Sequence, residues 1–202
     1  QSEELKTLPR ERIWQETYKA LQAINSEEYF KELIESEAIY KLVGKNFAVN
    51  LRLFEKISSV ISEAELRWAA FATNTDCNLE DLNESFGVPK KIQDLCRLLA
   101  KLIDFGTNHQ SKEVKSYEIL DFIEEVDGLR RNNRFNKVLK ILDAFNNSPL
   151  HLESIFIPWN DLSKQLLDIK PSSPELKGKE ISEDIRIQSL RIIEQWINKK
   201  DE

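Results

Sequence analysis

Between Pro89 and Gly106 the apolar residues Ile92, Leu95, Leu99, Leu102 and Ile103 recur at steps of three and four, with mostly charged or amide residues between them. That spacing lays one apolar stripe along one side of a helix, whereas a strand would alternate at every second residue. Strand-like alternation is nearly absent from the chain. The same helical steps return at Ile13, Trp14, Tyr18, Leu21 and Ile24, at Tyr29, Phe30, Leu33 and Ile34, and along Ile181, Ile185, Ile192 and Trp196. Segments striped in this way can bury their apolar faces only against one another, which commits the chain to helix-on-helix packing.

Boundaries follow from local chemistry. The five glycines and six prolines fall almost entirely at the edges of the periodic segments, so they act as helix punctuation. A first helix is expected near Pro9, with Thr7 as its cap, and a second at Ser26, where Glu27 and Glu28 suit the positive helix end. A helix over residues 47–61 leads to Ser62, which with Glu65 forms the pattern of a capping box. Gly87 and Pro89 precede the long helix and Gly106 is expected to end it, while Pro158 should break or start a helix. The stretch "KPSSPELKGK" is a connector into the last helix. The expectation is an all-α array of about 8 to 11 helices with no sheet, with Trp14, Trp68 and Trp196 on buried stripes. No fixed repeat period is present, which argues against a solenoid.

Composition narrows the function. With 41% hydrophobic and 32% charged residues the chain is ordinary for a globular protein, and no run approaches the length of a membrane span. The stretch "QSEELKTLPRER" lacks the basic patch and apolar core of a signal peptide, so a cytoplasmic location and no membrane partner are expected. Cys77 and Cys96 are too few for a disulfide framework and are read as reduced thiols. His109 and His151 lie far apart without zinc-ligand spacing, so no metal site is expected. Glycine-rich phosphate loops, nucleophile elbows and HExxH motifs are missing, and the carboxylates sit singly on solvent faces, so no catalytic residue is assigned.

One stretch runs against the acidic average. In "VDGLRRNNRFNKVLK" three arginines, Arg130, Arg131 and Arg134, fall within five positions and Lys137 follows, although the net charge is -6. A second cluster comprises Lys177, Lys179, Arg186 and Arg191, near Gly178. Cations on rigid helices are what recognition of a phosphate backbone by shape requires. The competing reading is that Arg130 or Arg131 pairs with Asp127 or Glu124 across a helix end.

Several stretches in order resemble the C-terminal half of bacterial class II tRNA nucleotidyltransferases, the CCA-adding enzymes of the poly(A) polymerase superfamily. "LPRERIWQETYKAL" and "EEYFKELIESEAIYKL" resemble the end of that family's neck, where the second helix ends in a Gly-Ala-Leu-like turn. "ELRWAAFA" resembles the start of its HD-like region, "FGVPKKIQDLCRLLAKL" the long helix after it, "ILDFIEEVDGLRRNNRF" its body helices, and "ELKGKEISEDIRIQSLRIIEQW" its tail. The resemblance implies a poly(A) polymerase C-terminal-like fold, with the end of the neck at 1–45, a degenerate HD-like region at 46–110, body helices at 111–170 and a tail at 171–202. It implies a region that binds the acceptor and T arm of tRNA and positions the 3' end for a nucleotidyltransferase head in cis. That head is absent from these 202 residues, so Mg and CTP or ATP are expected only with it, and this chain alone is expected to be inactive. Where such proteins often carry a His-Asp metal pair after Arg-Phe-Ala, this chain has Thr73 and Asn74, so phosphohydrolase activity is not carried over. The same region of a poly(A) polymerase, or a non-catalytic helical scaffold for protein partners, are the alternatives. The resemblance points to Arg130, Arg131, Arg134, Lys137, Lys177, Lys179, Arg186 and Arg191 as the RNA-binding residues.

Overall fold

The computed structural model describes residues 9–44, 47–109, 114–146, 157 and 159–200. Among them are eleven α-helices and no sheet, as the helical periodicity predicts. An isolated bridge between Val49 and Thr75 is the one piece of extended pairing among the described residues. The chain divides into two compact units, Gln1–Phe105 with Lys140–Glu153 and Gly106–Leu139 with Ser154–Glu202.

The first unit contains α1 (Arg10–Gln22), α2 (Ser26–Glu35), α3 (Ala38–Val43), α4 (Leu51–Val60), α5 (Ala64–Ala72), α6 (Leu79–Ser85) and most of α7 (Lys90–Asn108). Its centre is α5, "AELRWAAFA", in which every residue but Glu65 is buried. A helix apolar on all sides must be covered on all sides. Accordingly α1, α4 and α6 pack on α5, and α2 lies against α1, α3 and α4. Phe30 of α2 stacks on Phe71 of α5 with ring centroids 3.7 Å apart, and Phe54 of α4 meets both rings edge-on at 5.4 Å. Trp68 sits edge-on to Trp14 at 5.4 Å and donates its indole N–H to Asn83 Oδ1 at 2.9 Å. Asn83 is wholly buried, so the tryptophan satisfies the amide and the amide satisfies the tryptophan.

The second unit contains α8 (Ser116–Glu125), the first part of α9 (Asn132–Asn146), α10 (Trp159–Leu167) and α11 (Lys179–Lys200). Both α8 and α10 pack on α11. Trp159 lies 5.6 Å from Phe122 and edge-on to Phe135 at 6.2 Å, and Ile119, Ile123 and Ile193 complete the buried apolar cluster.

Several boundaries differ from expectation. The α4 helix begins at Leu51, with the Asn50 side chain accepting from the Leu53 N–H, because the segment before it is engaged in the Val49–Thr75 bridge. Ser62 and Glu65 form no capping box: Glu63 occupies the cap position without a side-chain cap bond, and its backbone carbonyl receives the Leu66 and Arg67 amides. Gly106 does not end α7, which runs through it to Asn108 with Gly106 buried; the glycine's propensity cost is a weak prior that packing overrides. Of the expected α2 stripe only Phe30 is fully buried. Trp14 and Trp68 are buried as expected, but Trp196 is only half-buried. Thr7, His151 and Pro158 lie outside the described residues.

Candidate nucleic-acid interface

The cluster of Arg130, Arg131 and Arg134 sits where α8 turns into α9. The α8 helix ends in a Schellman-type turn, with the Gly128 N–H donating to the Ile123 carbonyl at 2.9 Å and the Asp127 N–H to the Glu124 carbonyl at 3.0 Å. Asp127 takes the left-handed position with φ 58°, which short polar side chains tolerate better than most. The backbone reversal aims the Asp127 carboxylate at Arg130, whose Nε and Nη2 donate to it at 2.9 and 2.7 Å. That fork of hydrogen bonds from Arg130 holds the Asp127 carboxyl below its ordinary range. Arg134 reaches back to donate to the Val126 carbonyl, at the negative end of α8. Arg131 and Lys137 stand exposed, Arg130 is exposed, and Arg134 is half-buried.

The second cluster is divided between the connector and α11. Arg186 donates to Glu124 at 2.7 and 2.8 Å and to Asp121 Oδ1 at 2.6 Å, which ties α11 to α8. Sequence spacing could not show this pairing, since the partners are more than sixty residues apart. Both clusters therefore send one guanidinium to carboxylates at the C-terminal end of α8: Arg130 to Asp127, Arg186 to Glu124. Lys177, Lys179 and Arg191 are exposed and form no ion pair among the described residues. Gly178 has φ 53° with open space where a Cβ would stand, so conformation rather than crowding favours glycine there. The connector is held down by Asp184, which accepts from the Ser172 N–H and hydroxyl, each at 2.8 Å, while Gln188 donates to the Lys170 carbonyl. These bonds from Ser172 keep the Asp184 carboxyl below its usual range.

In the first unit, Thr73, Asn74 and Asp76 do structural work. Thr73 donates to the Ala69 carbonyl at 2.8 Å, Asn74 to the Asn50 carbonyl at 2.8 Å, and Asp76 accepts from the Ala48 amide at 2.6 Å. Together they fix the approach to α4 against the end of α5. Among the described residues, no three His, Cys, Asp or Glu side chains gather to hold a metal ion. A cleft of about 400 Å³ nearby is lined by Val43, Gly44, Asp76, Cys77, Asn78, Asp81 and Leu82. Partial burial, with Asp76 and Asp81 beside it, pushes the Cys77 thiol up. Cys96 is buried and its thiol is pushed up to about 12, which leaves it unreactive.

Sequence reasoning assigned no role to Arg67, the arginine of the "RWA" triplet. It is 6% exposed and donates to four backbone carbonyls: Leu21 (2.8 Å) and Ala23 at the end of α1, Ser58 (2.7 Å) and Ile61 (2.6 Å) at the end of α4. No carboxylate is paired with it among the described residues. The negative ends of two helices take the place of a counter-ion. Its position inside an otherwise apolar helix was the available signal, since a charge there must be bonded on several sides.

Fold and surface thus define an all-α protein with cations gathered at helix ends. Its particular likeness is to bacterial CCA-adding enzymes. The chain is 21% identical over 202 residues to the multifunctional CCA protein of Pseudomonas putida strain KT2440, covering 96% of this chain and 54% of that protein. It is 25% identical over 206 residues to the CCA-adding enzyme of Coxiella burnetii, covering 94% and 52%. A shorter match of 91 residues, at 31% identity and 45% of this chain, joins it to the multifunctional CCA protein of Methylobacillus flagellatus. No family model matches the chain. No solved structure matches it. The chain spans about half the length of the curated relatives it matches over nearly its full extent. The resemblance carried by its motifs, to the C-terminal region of a CCA-adding enzyme, therefore stands.

Proposed function

We propose that this chain is the tRNA-binding C-terminal region of a CCA-adding tRNA nucleotidyltransferase, acting in the cytoplasm to position the tRNA 3' end for a catalytic head in cis. The observation that supports this best is the similarity to CCA-adding enzymes along almost the entire chain. The division into neck, degenerate HD-like region, body and tail belongs to the same proposal. So does the inactivity of this chain alone, with Mg and nucleotide used at the head. The α8–α9 turn offers Arg130, Arg131, Arg134 and Lys137 to the phosphates of the acceptor and T arm, and the connector and α11 offer Lys177, Lys179, Arg186 and Arg191. No described helix is long and apolar enough to cross a membrane.

The test is the salt dependence of tRNA binding by an enzyme carrying this region. Removing one cation that neutralises a phosphate lowers the log-log slope by somewhat under about one. Arg130→Gln with Arg131→Gln is the informative pair, because Arg134 also holds the end of α8. A lower slope with folding little changed is expected, since the solvent-exposed Arg130–Asp127 pair contributes little to stability. An unchanged slope together with a lower melting temperature would mean that the cluster is structural.

A further inference from the structure

We infer that Asp121, Glu124 and Asp127, at the C-terminal end of α8, are positioning residues of the RNA surface: they hold Arg130 and Arg186 beside each other with donors left for phosphate. This rests on the RNA-binding reading above. The two arginines come from the α8–α9 turn and from α11, and α8 brings them together. Arg130 donates to Asp127 through Nε at 2.9 Å and Nη2 at 2.7 Å. Arg186 donates through Nη1 to both oxygens of Glu124, at 2.7 and 2.8 Å, and through Nη2 to Asp121 at 2.6 Å. The Asp127 N–H in turn donates to the Glu124 carbonyl at 3.0 Å, so the residues that carry the two guanidinium groups are in backbone contact.

The Arg130 side chain is 84% exposed and that of Arg186 41%, and ion pairs this open to water add little to stability. What the carboxylates fix is direction. A guanidinium carries five N–H donors in one plane. Asp127 engages the Nε–Nη2 edge of Arg130 and leaves Nη1 without a hydrogen bond among the described residues, while Arg186 keeps its Nε in the same way. A side chain already held in one orientation has given up its rotamer freedom on folding and loses little more when it binds. Field and placement then predict opposite signs. Neutralising the three carboxylates makes the chain less negative, so general attraction to RNA rises. The same change lets both arginines swing, so a surface that depends on where they stand binds more weakly.

The experiment compares the chain with its Asp121→Asn, Glu124→Gln, Asp127→Asn triple variant. Each amide keeps one acceptor oxygen but loses the charge-assisted grip on the guanidinium, and asparagine tolerates the left-handed backbone at 127. A charge-matched control carries Asp168→Asn, Glu175→Gln and Glu183→Gln, three exposed carboxylates that form no ion pair among the described residues. Binding to a tRNA transcript lacking its 3' CCA is measured at about 100 mM salt, at a temperature where circular dichroism shows all three proteins folded. The triple variant is expected to bind on the order of fivefold more weakly than the wild type, and the control as tightly or more tightly. A triple variant that binds as tightly as the wild type, or more tightly, overturns this inference and leaves RNA binding at the two clusters standing. A loss that the control shares in full also overturns it, since the effect would then follow carboxylates elsewhere in the unit. If the wild-type chain does not bind the transcript, the inference and the reading it rests on both fall.

Discussion

Arg67 is the residue on which the first unit most depends. Its guanidinium spreads donors in a planar fork that meets the carbonyls of Leu21, Ala23, Ser58 and Ile61 at once. Lysine has three donors on a single point and cannot reproduce that fork. Arg67→Lys is therefore expected to lower stability by about 2 kcal/mol or more, because buried carbonyls lose their partners, and Arg67→Ala by more still, because all four carbonyls are left without a donor and the buried stem leaves a cavity. Urea denaturation followed by far-UV circular dichroism measures both. If the lysine variant keeps the wild-type midpoint, the clamp is not what holds the ends of α1 and α4.

At the scale of elements, the α2–α3 junction carries a correctable strain. Glu37 occupies the left-handed region with φ 58°, and no side-chain bond caps the helix it precedes. Glycine enters that conformation without the Cβ penalty. Glu37→Gly should therefore raise stability by up to about 1 kcal/mol, part of it offset by the freer unfolded chain; thermal unfolding reads the sign, and a loss of stability would show that the Glu37 side chain contributes more than its backbone costs. Junctions of this kind are what periodicity conveys least well. The stripes located α1, α2, α7 and α11 because apolar spacing reports which face is buried. On α11 the buried line runs through Ser189 and Ile193, while Ile185, Ile192 and Trp196 lie at its margins. A serine does not announce a core position, yet Ser189 donates to the Ile185 carbonyl at 2.8 Å and so is buried with its hydroxyl satisfied. Likewise the RNA-facing candidates were legible as charge, but the partners that occupy Arg186 come from α8, a tertiary contact that no local pattern encodes.

For the whole molecule, net charge and paired carboxylates set the response to acid. A total of -6 means mild self-repulsion at neutral pH, which eases as pH falls toward the isoelectric point near 5.2. Below that, a second effect takes over. Glu80, hydrogen-bonded by Arg97, Asp127 by Arg130, and Asp184 by Ser172 all have folded-state pKa values below their ordinary ones. A depressed carboxyl contributes stability that is fully present above its unfolded pKa and is lost as pH falls through its folded one. Stability should thus be level or slightly rising from pH 7 to about 5, then fall below about 4, where carboxylates of ordinary pKa protonate. Asp184→Asn isolates one contribution and leaves the Glu80–Arg97 and Asp127–Arg130 pairs in place. The variant should melt below the wild type at pH 7, and the gap should narrow as pH falls below the ordinary carboxylate range and the depressed Asp184 carboxyl begins to protonate. A gap that persists unchanged at acid pH would assign the loss to packing of the 170–178 connector on α11, and the charge on Asp184 would then have no part in holding it there.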